Sequence, residues 1–254
     1  DGPTVVANAD DPLVVWSAGT ATHVVWVNTA TSWTADAALC PACGSVLTTA
    51  DGRWDCPGCE LTQPEAGWVV DGDTIQLPDG TRVAPQLRLP GAFNVSNAAC
   101  ALAAAVELGV DVEAALHGMR TVTSPAGRFA TATLHGTSVR LLLAKNPAGW
   151  AEALPLALSD PVILAIDSVA ADGKDVSWLW DVDYEQLQGR AVIATGPRAQ
   201  DLAVRLAYAE VAHQVIPELA QALAAATPAA QAAPLDLIAT YTPFQKLLKM
   251  AGLR

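Results

Sequence analysis

Val139-Arg140-Leu141-Leu142-Leu143-Ala144-Lys145-Asn146-Pro147 is a short, nearly unbroken apolar run that closes on a cation, an amide and a proline. Similar runs recur at 162–166, 191–194 and 236–240, with helical stretches at 147–158, 198–208 and 216–226 between them. A strand that reads as continuously apolar is one whose two faces are both covered. Strands of this kind alternating with helices predict a Rossmann-like parallel α/β domain over 132–254. In such sheets the residues just beyond the strands' carboxyl ends meet ligands. Here those positions hold Lys145-Asn146-Pro147, Asp167 with its long following loop, and Thr195-Gly196-Pro197-Arg198.

Working toward the amino terminus, residues 1–131 read as a first α/β domain. A strand at 3–7 precedes the turn Asn8-Ala9-Asp10-Asp11-Pro12, and further strands are expected at 13–16 and 23–27. Residues 66–89 alternate around Asp71-Gly72-Asp73 and Asp79-Gly80, the pattern of a hairpin meander. A helix runs from about Asn94 to Gly109, and Asp111 caps a second one to about Met119. The alanine-rich segment 224–233 reads as a frayed helix end or a loop.

Four of the five cysteines interrupt the first domain at about 37–62, as Cys40-Pro41-Ala42-Cys43-Gly44 and Cys56-Pro57-Gly58-Cys59. Two residues between the thiols of each pair let both sulfurs face one tetrahedral ion, and two such knuckles make a zinc ribbon. Two disulfides are the alternative, but those suit a small secreted domain better than a 254-residue chain with a thiol left over. Four thiolates fill a tetrahedral zinc, so the expected metal is structural. Trp33, Trp54 and Trp68 are near enough in sequence to cover so small a unit, and Cys100, in an alanine-rich helix, reads as a small buried hydrophobe.

The chain carries 26 acidic against 14 basic side chains, a net charge of −12, which argues against general nucleic-acid binding. No apolar run approaches the roughly 20 residues of a membrane span. Several strings carry two readings each. Asp10 and Asp11 follow a strand end and either meet a ligand or cap their own turn. Arg128 either clasps a phosphate or is an ordinary surface arginine. Asn94 and Asn97, near a helix start, either cap it or read a base edge. Asp172-Gly173-Lys174-Asp175-Val176-Ser177-Trp178-Leu179-Trp180-Asp181-Val182-Asp183 puts acids and two tryptophans in one loop, and exposed tryptophans point to a surface that packs on something. A loop aspartate is also suited to orient a histidine arriving from elsewhere, and none of the four histidines here has a catalytic context.

Together these strings resemble the Mur ligase family, and within it the ligase-like subunits of lipid II isoglutaminyl synthases. The resemblance rests on Asn8–Pro12, the ribbon, Leu89-Pro90-Gly91-Ala92-Phe93-Asn94-Val95-Ser96-Asn97, Gly127-Arg128-Phe129, Lys145-Asn146-Pro147-Ala148-Gly149-Trp150, the Asp172–Asp183 string and Thr240-Tyr241-Thr242. It implies that 1–131 is the later part of a central, ATP-binding domain with the ribbon inserted, and 132–254 the C-terminal domain. It further implies an ATP- and Mg-dependent amidotransferase that converts the D-glutamate α-carboxylate of lipid II to D-isoglutamine, in the cytoplasm at the inner face of the bacterial membrane. Ammonia would come from a GatD-like glutaminase subunit, whose Cys–His pair takes an aspartate from this chain: Asp175 first, then Asp172 and Asp167. Asn94 and Asn97 would lie near the adenine and Arg128 near the nucleotide, with Asp10, Asp11, Lys145 and Asn146 in the same site. The competing readings are a non-catalytic docking module and another Mur-type ligase that adds an amino acid, such as a folate or cyanophycin enzyme.

Family members carry an N-terminal phosphate-binding loop. This sequence contains no Gly-x4-Gly-Lys-Ser/Thr and begins Asp1-Gly2-Pro3, the expectation for a fragment that starts downstream of that loop. Without a nest of backbone N–H donors the nucleotide phosphates lack their main partner. Calorimetry of the 254-residue chain with MgATP is therefore expected to detect no micromolar binding, and micromolar affinity would contradict this reading.

Overall fold

The computed structural model describes residues 2–30, 37–122, 128–169, 171–227 and 233–254. The chain divides into two compact units, Asp1–Thr123 and Ser124–Arg254.

In the first unit, β1 (Thr4–Asn8), β2 (His23–Asn28) and β5 (Trp68–Asp71) pair in parallel. The hairpins expected over 66–89 extend the sheet as antiparallel β6 (Thr74–Gln76) and β7 (Arg82–Val83), giving the order β1-β2-β5-β6-β7. Helix α2 (Ala92–Glu107) buries Ala98, Ala99, Leu102 and Ala103 against Val27, Trp68, Val70 and Ile75, and α3 (Val112–Arg120) adds Leu116 to that core. Alanines on the inner face let the helix approach the sheet closely at no side-chain entropy cost. The expected cap holds: Asp111 accepts from the Ala114 N–H at 3.1 Å.

One element of this unit differs from expectation. Leu13-Val14-Val15-Trp16 is not a strand but lies in helix α1 (Pro12–Ala18). Asp11 Oδ1 accepts from the N–H groups of Leu13 (2.8 Å) and Val14 (3.4 Å), and Pro12 occupies the first helical position. Cap and proline together outweigh the β-preference of two valines. The helical register buries Val15 and Ala18 and leaves Leu13 and Trp16 exposed.

The ribbon sits between β2 and β5. Its hairpin pairs β3 (Thr48–Ala50) with β4 (Arg53–Asp55) across Asp51-Gly52, where φ is +50° and +76°. Positive φ at both central residues is what a two-residue hairpin turn of matching twist requires.

The second unit is a six-stranded sheet in the order β12-β11-β10-β13-β9-β8. Strands β9 (Thr137–Leu143), β10 (Val162–Ala165), β11 (Val192–Thr195), β12 (His213–Val215) and β13 (Leu235–Ala239) are parallel, and β8 (Phe129–Leu134) is an antiparallel edge. The two-residue period of the strands sends Val162, Leu164 and Ile166 to one core, with α4 (Pro147–Ala153) and α5 (Ala199–Tyr208), and Ile163 and Ala165 to the other, with α6 (Leu219–Ala226) and α7 (Tyr241–Met250). The parallel, doubly covered sheet is thus as expected.

Five details were not legible in the sequence. Residue 132 lies inside β8, which pairs with β9 along its length, so the units divide ahead of that strand. The helical stretch 147–158 is α4 followed by a 3-10 turn at Leu154–Leu156. The short edge strand β12 and the amphipathic α7 were not expected; α7 buries Pro243, Phe244, Leu247 and Leu248. Asp236, on central β13 and fully buried, accepts from Arg140 Nε at 2.6 Å and from the N–H groups of Leu158 and Ser159. A buried carboxylate persists only when it is paired and hydrogen-bonded in this way.

Candidate functional site

Each unit gathers its polar side chains at the carboxyl ends of its parallel strands. In the first, the chain leaves β1 as Asn8-Ala9-Asp10. Asp10 Oδ2 accepts from the Thr29 N–H at 2.8 Å and lies 3.1 Å from the Thr29 hydroxyl, just past β2, while Asp10 Oδ1 accepts from Gln63 Nε2 at 2.9 Å. Ser96 of α2 donates its hydroxyl to the Thr29 carbonyl at 2.7 Å, drawing that helix to the same spot. Asp10 is therefore a fixed, partly buried carboxylate at a strand end, whereas Asp11 is the α1 cap described above. Asn94 lies in the first turn of α2 and donates to the Pro90 carbonyl at 2.6 Å; Asn97 is exposed one turn on. Neither is the cap, because the residue preceding the helix is Gly91.

The ribbon's four sulfurs lie within 4.8 Å of one another, with Cys40···Cys59 at 3.6 Å and Cys43···Cys56 at 3.4 Å. Zinc–sulfur bonds of about 2.3 Å place tetrahedral sulfurs about 3.8 Å apart, so the observed spacing fits a four-thiolate metal site and is far too long for a disulfide. The close approach of the knuckles explains Gly58, where a Cβ would collide with the Ser45 hydroxyl. Hydrogen bonds to Ser45 pull the Cys43 thiol down to about 6, while burial pushes Cys56 up. Four thiolates this close repel, and a divalent cation is what lets all four ionise. Trp54, on β4, is buried and donates its indole N–H to the Ala9 carbonyl at 3.2 Å; Trp68 belongs to the main core, and Trp33 lies outside the described residues. Cys100 is half-buried beside that core, and burial raises its pKa, as for an inert thiol.

In the second unit β9, β10 and β13 end side by side. Asp167, 4% exposed, follows β10; its backbone N–H donates to Thr240 Oγ1 at 3.0 Å, and its carboxylate lies 3.7 Å from Lys246 Nζ of α7. Lys145 holds its ammonium 4.6 Å from the Tyr241 ring centre, and Asn146 caps α4 through the Gly149 N–H at 2.9 Å. The next crossing is as tight: a Cβ on Gly196, whose φ is +93°, would strike the Ile166 carbonyl. Asp172 Oδ1 accepts from the Thr242 N–H at 2.8 Å, closing the first turn of α7, and its Oδ2 is buried with no hydrogen-bond partner among the described residues. Asp175 is exposed. Its two oxygens accept from the Ser177 N–H (2.8 Å) and hydroxyl (3.0 Å), which together hold its pKa below the usual carboxylate range. Of the two tryptophans in this loop, Trp178 packs on Trp150 in the core and only Trp180 is exposed, stacked edge-on against Tyr208. Arg128 is exposed, next to residues outside the described set.

Sequence reasoning missed Thr29, Ser96, Gln63 and Lys246. Gln63 is a buried polar side chain just beyond the second cysteine knuckle, and nothing in its local pattern marks it. Lys246 is legible only once α7 is recognised as a helix whose polar side returns to the strand ends.

Residues 143–244 match the MurT ligase C-terminal family model. The subunit MurT of lipid II isoglutaminyl synthase from Staphylococcus aureus strain COL is 36% identical over 139 residues, covering 52% of this chain and 32% of that protein. The subunit of the same name from Streptococcus pneumoniae strain R6 is 29% identical over 196 residues, covering 66% of this chain and 42% of that one. The chain thus aligns with well under half the length of these relatives. Among solved structures, a pseudomurein peptide ligase type C from Methanothermus fervidus superposes with a TM-score of 0.69 at 17% identity, covering 98% of this chain and 56% of the other. The second unit is thus similar to MurT ligase C-terminal domains over residues 143–244, and the chain shares its fold with a Mur-type peptide ligase.

Metal analysis of the purified chain is expected to return one tightly bound ion per molecule, lost in Cys56→Ser. Full retention of metal in that variant would contradict a four-thiolate site.

Proposed function

We propose that this chain is part of the ligase-like subunit of an ATP- and glutamine-dependent amidotransferase that acts on the D-glutamate α-carboxylate of lipid II. Its first unit belongs to the nucleotide-binding central domain and its second to the C-terminal domain, and the ribbon holds zinc. The observation that carries the reading is the match of residues 143–244 to the MurT C-terminal family in a chain that also bears a Mur-type first unit and a ribbon. In the reaction, the substrate carboxylate attacks the γ-phosphorus of ATP and ADP departs, leaving an acyl phosphate. Ammonia then attacks the acyl carbon and inorganic phosphate leaves, giving D-isoglutamine. Mg would neutralise phosphate charge; the first unit offers Asp10 at the β1 end and Asn94 and Asn97 on α2 as nucleotide-binding candidates, and the second unit, taken by itself, offers Lys145, Asn146 and Arg128.

Ammonia comes from glutamine on a glutaminase partner, and one aspartate here aligns the partner's histidine. Such an aspartate has to be ionised, fixed and reachable from outside. Asp175 meets all three conditions: exposed, braced by Ser177, and with a lowered pKa. Asp172 spends one oxygen on the first turn of α7, and Asp167 is enclosed and faces Lys246. The competing reading, another Mur-type ligase that adds an amino acid, has no such need for an outward aspartate. The work would be done at the inner face of the membrane, where lipid II is made; among the described residues no helix is long and apolar enough to cross one.

In the reconstituted complex, Asp175→Asn is expected to remove glutamine hydrolysis, by about 10^3-fold or more as for loss of a triad's orienting acid, with the melting temperature unchanged. Asp172→Asn is expected to lower the melting temperature and keep turnover. Wild-type hydrolysis in Asp175→Asn would move the assignment to another aspartate.

A further inference from the structure

Beyond holding its own fold, the ribbon reaches the strand-end carboxylate of the first unit through two buried side chains. Gln63 is 3% exposed; its carbonyl oxygen accepts from the Trp54 N–H at 3.1 Å, and its amide donates to Asp10 Oδ1 at 2.9 Å. Trp54, 7% exposed, donates its indole N–H to the carbonyl of Ala9, the residue before Asp10. The backbone of the turn is thus gripped by Trp54 of β4, and its side chain by Gln63, itself held on the Trp54 N–H. That strand runs directly into Cys56, and the segment is doubled back by Cys56 N–H to Leu61 carbonyl (3.0 Å) and Gln63 N–H to Trp54 carbonyl (3.0 Å). On the far side Asp10 is held by Thr29, whose hydroxyl also lies 3.0 Å from Asn8 Oδ1.

We infer that the ribbon is a positioning device for Asp10, with Gln63 and Trp54 as its positioning residues. A ribbon this short has almost no hydrophobic core, so its shape depends on the ion. Gln63 presents its amide to Asp10 only while β4 and the return strand keep their register. Its oxygen is already taken by the Trp54 N–H, so the amide cannot flip without leaving two buried groups unpaired. The carboxylate's direction at the strand end is therefore fixed by residues outside the strand, as outer residues fix the ligands of a metal. Part of the polar surroundings of Asp10 would be lost on demetallation even though β1 and β2 remain paired.

Only the purpose of Asp10, meeting the nucleotide, rests on the ligase reading; the coupling does not. The test is site-resolved amide hydrogen exchange on the whole chain, metal-loaded and chelator-stripped, in wild type and in Gln63→Glu. Glutamate keeps the side chain's shape and its acceptor but replaces the amide donor with a second carboxylate, which repels Asp10 when ionised. Stripping the metal should speed exchange at Thr29 and Asp10, whose N–H groups bond Asp10 Oδ2 and Asn8 Oδ1, on the order of tenfold. The β5–β6 ladder should be unaffected. Metal-loaded Gln63→Glu should show the same acceleration with its metal retained. Should Gln63→Glu lose the ion, Trp54→Phe, which keeps a ring but lacks the donor to Ala9, is read in its place and should also accelerate Asp10. Unchanged protection at Thr29 and Asp10 in the stripped protein, with the ribbon amides released, overturns the inference, as does unchanged protection in the metal-retaining variant. A complex without amidating activity but with the expected exchange pattern would instead sink the ligase reading and leave the coupling standing.

Discussion

A parallel strand covered on both faces has almost nowhere to put a polar side chain except beyond its end. That constraint organises both units. In the second unit, the residues of β10, β11 and β13 are all buried, and the polar groups Asp167, Thr195 and Thr240 stand at their carboxyl ends. Asp236 is the exception that shows the cost, since its burial required Arg140 and two backbone N–H groups to converge on it. In the first unit the same rule brings Asp10 and Thr29 together past β1 and β2. Polar groups able to meet a ligand are thus confined to strand ends by the burial that makes the strands stable.

The sheet of the second unit was legible because burial on both faces leaves an unbroken apolar run, and the ribbon because cysteine spacing is tied to one coordination geometry. What could not be read is where the pattern is weak or where a local cap competes with it. Leu13 to Trp16 has strand-like composition, but Asp11 and Pro12 supply a helix start. β8, whose sequence is Phe129-Ala130-Thr131-Ala132-Thr133-Leu134, alternates as an edge strand does, and it drew a boundary through itself because turn residues precede it. Helix α7 was not expected at all; Pro243 masks its start, although proline is tolerated in the first helical turn, where it sits.

The candidate site divides in the same way. Its acidic and amide residues were visible as strings, because they follow strand ends or open a helix. Their roles were not, because hydrogen-bond partners are distant in sequence: Gln63 lies 53 residues from Asp10, and Thr242 lies 70 from Asp172. Structure also separates three aspartates that composition treats alike. One braces a helix, one is enclosed beside a lysine, and one is held open to solvent.

In the proposed function a carboxylate from this chain would align a thiol and imidazole supplied by a second subunit. Glutamine hydrolysis, followed as ammonia release, by the metal-loaded chain alone and after mixing with a GatD-like glutaminase subunit, tests it most directly. No release by the chain alone and stimulated release by the mixture are predicted. Hydrolysis by the chain unaided, or a glutaminase indifferent to its presence, would contradict it.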